Sequence, residues 1–126
     1  MIIMPFIKYI RKEEFILIKR SFEVFGKVQG IMFRQTLMRS CLRRKIDAAA
    51  TNDSSNRDRV TFSVIALEEE IECLCKDLLR LEKLNSWGAS VSSLKELGQF
   101  IEFSEHQVST KNVDEFKWTA GVEFFL

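Results

Sequence analysis

The residues best suited to a specific chemistry lie in one run, Phe25 to Arg34, which reads FGKVQGIMFR. A phosphate-like oxyanion needs several donors converging on a small volume. Backbone N–H groups at a glycine-containing turn, followed by the N-terminus of a helix, supply them. Gly26 and Gly30 permit the tight path, and Arg34, in the first turn of the helix, adds a guanidinium fork aimed at the same point. The run is neither GxxxxGK[ST] nor GxGxxG. On residue types alone, a purely structural loop is the first reading, because two glycines near a helix start are common.

Other candidates are few. His106 is the single histidine; with no obvious catalytic partner in the sequence, it is expected at the surface. Cys41, Cys73 and Cys75 are odd in number and form no CxxC pair. Neither a disulfide scaffold nor a zinc site is expected, and the thiols read as reduced, inert core groups of a cytoplasmic protein. No metal or cofactor is implied.

The elements that position the run must come from one domain, because 126 residues with 46% apolar content and eleven Phe suffice for one core. The net charge of +1 gives no global attraction to nucleic acid or anionic lipid. It hides an asymmetry: residues 1–60 hold thirteen Lys/Arg and six Asp/Glu, and residues 61–126 hold six and twelve. The scattered basic residues suit a helix beside a small anion. Met1 to Ile18 is apolar but broken by Pro5, Lys8, Arg11, Lys12, Glu13 and Glu14, short of the ~20 apolar residues of a membrane span.

Phe15 to Lys27 reads as a strand ending near Gly26, and Met32 to Arg44 as an amphipathic helix with Phe33, Leu37, Met38, Cys41 and Leu42 on one face. Ile46–Thr51 and Val60–Ala66 form a hairpin around the polar turn Asn52–Arg59. Leu67–Leu84 is a second helix, with Glu68, Glu69 and Glu70 at its start. Ala89–Leu97 is a strand. Phe100–Phe103 and Val113–Trp118 are further extended candidates around a polar loop. The order βαββαβ predicts an α+β, ferredoxin-like fold: an antiparallel sheet with two helices on one face, plus an additional C-terminal strand. An RNA-binding version of that fold would need exposed sheet aromatics, for which Phe62 and Trp118 are the candidates.

The run Phe22 to Arg34, FEVFGKVQGIMFR, resembles the acylphosphatase signature, G-x-V-Q-G-[VI]-x-F-R after a strand. Gly26, Val28, Gln29, Gly30, Ile31, Phe33 and Arg34 all match, and Asn52 stands where that family carries its catalytic Asn, eighteen residues after the signature Arg. The resemblance implies metal-free hydrolysis of small acyl phosphates by a monomer. Arg34 and the N–H groups of Val28, Gln29, Gly30, Ile31, Met32 and Phe33 would hold the phosphate, and Asn52 would orient water. It places the domain at residues 21–118, between an N-terminal extension, 1–20, and a C-terminal tail, 119–126. The chain departs from the family before Asn52, in RKIDAAATN: Lys45 and Ala48 replace glycines and Ala49 an aromatic. Asn56 is the turn residue suited to a left-handed conformation in place of the family's hairpin glycine. An anion-binding or protein-interaction module that has lost hydrolysis is the alternative reading.

Overall fold

The computed structural model describes residues 16–116 and 120–126. The N-terminal residues 1–15 and Trp118 lie outside that range. Strand β1 (Ile18–Lys27) leads to helix α1 (Phe33–Arg43), the hairpin β2 (Asp47–Asn52) and β3 (Arg59–Ala66), helix α2 (Glu68–Arg80), β4 (Ser90–Glu96) and the short β5 (Val108–Ser109). The sheet order is β4-β1-β3-β2-β5, with every pairing antiparallel. This is the expected ferredoxin-like arrangement with its additional strand.

The period of two sorts the strand residues. Phe22 and Val24 of β1, Val60, Phe62 and Val64 of β3, and Ala48 and Ala50 of β2 are buried in one core with Leu37, Met38 and Cys41 of α1 and Ile71, Leu74 and Leu78 of α2. Phe22 and Phe62 face each other in register and stack with centroids 5.3 Å apart. Phe62 is therefore a core residue and offers no platform to a nucleic-acid base. By the same alternation, Asn52 belongs to the face of Ala48 and Ala50, and Thr51 to the opposite one.

Serines line that opposite face, and the segment after β4 covers it. Ser63 Oγ donates its only proton to the Ile101 carbonyl at 2.6 Å, so Ser21 Oγ, 2.6 Å away, must donate to Ser63. His106 Nε2, 2.9 Å from Ser63 Oγ, must also donate. Its Nδ1 then accepts from Thr51 Oγ1 at 2.9 Å. His106 is thus half-buried and bridges two strands, where a surface position was expected; burial lowers its pKa below the ordinary histidine value.

Several other expectations need correction. Helix α2 stops at Arg80, because Leu81 is extended and Leu84 is buried instead, its carbonyl accepting from the N–H groups of Phe125 and Leu126. The additional strand falls in the polar loop rather than at Phe100–Phe103 or after Val113. Thr110 N–H bonds the Ala48 carbonyl and Asn112 Oδ1 accepts from Ser109 N–H, while Phe103–Glu105 and Val113–Glu115 are single 3-10 turns. Of the cysteines, Cys41 is sealed in the core and burial pushes its thiol up to about 12. Cys75 is half-buried and pushed by burial to about 11. Cys73 is exposed. Val122 and Leu126 near the C-terminus are buried against the domain, and Phe125 is exposed.

The departure at Lys45 keeps a glycine-like backbone. Lys45 has φ 62°, its N–H bonds the Leu42 carbonyl, and Ile46 N–H bonds the Cys41 carbonyl at 2.8 Å. This is a Schellman ending in which glycine is the usual residue at the left-handed position. Asn56 is not among the residues with positive φ. Its turn is closed instead by Asn56 Oδ1 accepting from Asp58 N–H and by Asp53 Oδ1 accepting from Ser55 N–H and Oγ.

Candidate functional site

Between the end of β1 and the start of α1 the backbone makes two left-handed steps, Gly30 at φ 71° and Met32 at φ 64°. Met32 caps α1 without a side-chain hydrogen bond, and the first turn of α1 has no acidic residue. Within the described residues, the N–H groups of Gln29, Gly30, Ile31, Met32 and Phe33 have no acceptor. Amide groups left free at an uncapped helix start carry the positive end of the helix dipole, the arrangement that suits an anion in general. Gly26 secures the approach to this loop: a Cβ there would stand 2.3 Å from the Ser90 carbonyl oxygen, next to a register shift between β1 and β4.

Two side chains hold the loop from opposite sides. Gln29 turns away into the β2–β3 turn, where Nε2 donates to the carbonyls of Asp53 at 2.9 Å, Asn56 at 3.0 Å and Arg59 at 2.8 Å. That turn is braced in addition by Arg59, which bonds Glu23 at 2.8 Å and Asp53 at 2.9 Å. The bonds from Ser55, with that from Arg59, bring the Asp53 carboxyl down to about 2.

On the other side, Asn85 is fully buried. Its Nδ2 donates to the Ile31 carbonyl at 3.0 Å and to Thr36 Oγ1 at 2.8 Å. Its Oδ1 accepts from the N–H groups of Trp87 and Ala89. The final residues tie this segment down, through Ser86 N–H to the Glu123 carbonyl and the bonds of Phe125 and Leu126 to Leu84.

A cleft of about 530 Å³ opens over the loop, lined by Val28, Gly30, Met32, Phe33, Arg34, Gln35, Asn52, Trp87, Val108 and Phe116. Arg34 and Asn52 thus share one cavity with the loop, despite the altered strand before Asn52. Gln29 and Ile31 are not in the lining; Gln29 braces the turn, and Ile31 packs against the core. Arg34 is half-buried, and desolvation alone lowers its pKa. Its Nη1 donates to Gln107 Oε1 at 2.9 Å, and a guanidinium has further N–H donors for a ligand. Asn52 Oδ1 is buried without a hydrogen-bond partner, the one such side-chain atom among the described residues. A polar atom left in that state costs about 1–3 kcal/mol. A second guanidinium lies beside the loop: a Cβ on Gly30 would stand 3.1 Å from Arg57 Nη2.

The sequence singled out the loop, Arg34 and Asn52, and missed Asn85, Trp87, Gln107, Val108 and Phe116. Asn85 and Trp87 fall in a short polar connection with no periodic signal, and Gln107 and Val108 in what reads as a loop. Among the described residues no group of three or more His, Cys, Asp and Glu side chains is placed to hold a metal ion.

Comparison with known proteins gives a consistent result. The sequence model of the family described as Acylphosphatase matches residues 20–107. A search of curated proteins finds no match. Among solved structures, full-length HypF in its phosphate- and nucleotide-bound form is similar at TM-score 0.56 and 19% identity, over 77% of this chain and 12% of HypF. An acylphosphatase from Coxiella burnetii is similar at TM-score 0.56 and 20% identity, over 75% of this chain and 90% of that one. An acylphosphatase from Bacillus subtilis is similar at TM-score 0.50 and 19% identity, over 68% and 89%. At these identities the structural likeness bears on the fold.

Proposed function

This chain belongs to the acylphosphatase family, and we propose that it hydrolyses the carboxyl-phosphate bond of small acyl phosphates in the cleft above the Gly26–Arg34 loop. The observation that carries this reading is the convergence of Arg34, Asn52 and the loop on one cavity. The loop's N–H groups and the Arg34 guanidinium bind the phosphoryl oxygens. Asn52, whose amide oxygen lacks a partner and which lines the cleft, orients the attacking water. Water adds to phosphorus, the bond from phosphorus to the carboxyl oxygen breaks, and the electron pair leaves with the carboxylate. Inorganic phosphate is the other product. A carboxylate is a good leaving group, so positioning and charge stabilisation suffice without a protein nucleophile or a metal.

The test is release of phosphate from acetyl phosphate and benzoyl phosphate, in chelator and without added metal. Turnover is expected, with a loss of about 100-fold or more in Arg34→Ala and Asn52→Ala. No turnover of either compound by folded wild-type protein would refute it. The sealed Asn52 Oδ1 favours a second reading, an anion-binding module without hydrolysis. That reading expects phosphate binding that depends on Arg34 and is indifferent to Asn52.

A further inference from the structure

The cleft is larger and less polar than a phosphate requires. Gly30, Arg34 and Asn52 contribute polar groups, while Met32, Trp87, Val108 and Phe116 bring apolar surface to the same cavity. Trp87 is 44% exposed and Phe116 is 41% exposed. Large aromatic side chains left this open forgo the gain from burial, and here two of them line one cavity together with Arg34 and Asn52. The Trp87 backbone is anchored: its main-chain N–H donates to Asn85 Oδ1 at 2.9 Å, and Asn85 also grips the loop. Val108 and Phe116 lie beyond the family match, which ends at residue 107. Arg34 is the single charged residue of the lining and Arg57 lies beside Gly30, so the cations gather at the loop, while Met32, Trp87, Val108 and Phe116 are uncharged.

We propose that Trp87 and Phe116, with Met32 and Val108, form an acyl subsite that selects acyl phosphates with an aromatic or similarly bulky apolar acyl group. This rests on the reading of the cleft as an acyl phosphate site. The phosphoryl group occupies the end at Arg34, and the carbonyl carbon carries its substituent toward the aromatic wall. Contact with that wall stabilises bound substrate and transition state alike, so the preference is expressed in KM rather than kcat.

Two measurements test this separately from hydrolysis. In the first, kcat/KM for benzoyl phosphate is compared with that for acetyl phosphate in wild type, Trp87→Ala, Phe116→Ala and the double variant. A wild-type preference of about tenfold or more is expected, falling about fivefold in the variants because KM for benzoyl phosphate rises more than that for acetyl phosphate. In the second, binding of phenylphosphonate and methylphosphonate is measured by calorimetry, with about tenfold tighter binding of the phenyl compound expected and lost in the double variant. Hydrolysis of both acyl phosphates with a ratio that the variants leave unchanged overturns the subsite and leaves the proposed function standing. Absence of hydrolysis with Trp87-dependent preference for phenylphosphonate does the reverse. Equal binding of the two phosphonates also overturns the subsite.

Discussion

Asn85 Nδ2 lies 3.0 Å from the Ile31 carbonyl oxygen, so a buried side chain before β4 sets the direction of a peptide group in the loop after β1. In a planar trans peptide the C=O and the following N–H point in opposite directions. The contact therefore turns the Met32 N–H away from Asn85. The Met32 carbonyl is similarly engaged, by Thr36 N–H at 3.0 Å and Thr36 Oγ1 at 2.7 Å, which fixes the Phe33 N–H. The two peptide groups nearest the start of α1 are oriented before any ligand arrives.

Asn85→Ala should consequently weaken phosphate binding about tenfold while costing about 1–3 kcal/mol of stability, the range for removing one partner from buried polar groups. Calorimetric titration with orthophosphate, alongside urea unfolding, measures both. Affinity equal to wild type in a folded variant would show that the loop keeps its orientation without Asn85.

Lys45→Gly should stabilise the protein. Lys45 occupies the left-handed position of a Schellman ending at φ 62°, where a side chain costs about 1 kcal/mol relative to glycine. The expected gain is about 1 kcal/mol, or roughly 2–6 °C in Tm, with phosphate affinity unchanged because Lys45 does not line the cleft. A Tm at or below the wild-type value would mean that Lys45 makes a compensating contribution.

The contrast between Lys45 and Asn85 shows what the sequence could disclose. Lys45 stands out because it replaces a glycine of the motif that the chain resembles, and the backbone demand behind that glycine is local: Lys45 takes the left-handed step that ends the helix. Alternation and helical period likewise revealed β1 to β4 and both helices, whereas Asn52, read as the first residue of the turn, closes β2 instead, and β5 is too short to show a period. Asn85 was hidden because its partners, Ile31 and Thr36, are more than forty residues away, and nothing in a short polar connection marks a long-range hydrogen bond. The same holds for His106, whose burial depends on Thr51 and Ser63 reaching it from two strands. The early end of α2 was illegible for a related reason: residues 81–84 keep an apolar pattern, but Leu84 bonds the C-terminal residues instead of continuing the helix.

His106 gives stability a pH dependence near neutrality. Burial lowers its folded pKa below the unfolded value, so the folded state disfavours the imidazolium. Stability is full above about pH 6.5, the ordinary histidine value, and declines as the pH falls through it toward the lowered folded value. Protonation also puts a donor on Nδ1 opposite Thr51 Oγ1, which must then redirect its own proton. His106→Gln should be less stable than wild type at pH 8 and should show less change between pH 8 and pH 5.5 in urea midpoint. An identical pH slope in the two proteins would assign that slope to other groups.

Gln29 offers the sharpest test of how the loop is fixed to the hairpin, because three carbonyl oxygens converge on its Nε2. Those of Asn56 and Arg59 keep backbone donors if Gln29 is removed, from Arg59 N–H and Asp53 N–H, whereas that of Asp53 loses its partner. Gln29→Leu should therefore cost about 1–3 kcal/mol, the range for one unsatisfied group. Gln29→Glu should cost more at pH 7, because it places a carboxylate against the same oxygens. A protonated carboxyl can donate, so the folded pKa of that Glu would be raised above its unfolded value. Its share of stability is then present below about pH 4.3 and is lost as the pH rises through the raised value. The two variants should accordingly converge in urea midpoint as the pH is lowered from 7 toward 4. A Gln29→Glu protein no less stable than Gln29→Leu at pH 7 would mean that the carboxylate escapes the turn, and that the loop is held chiefly from the Asn85 side.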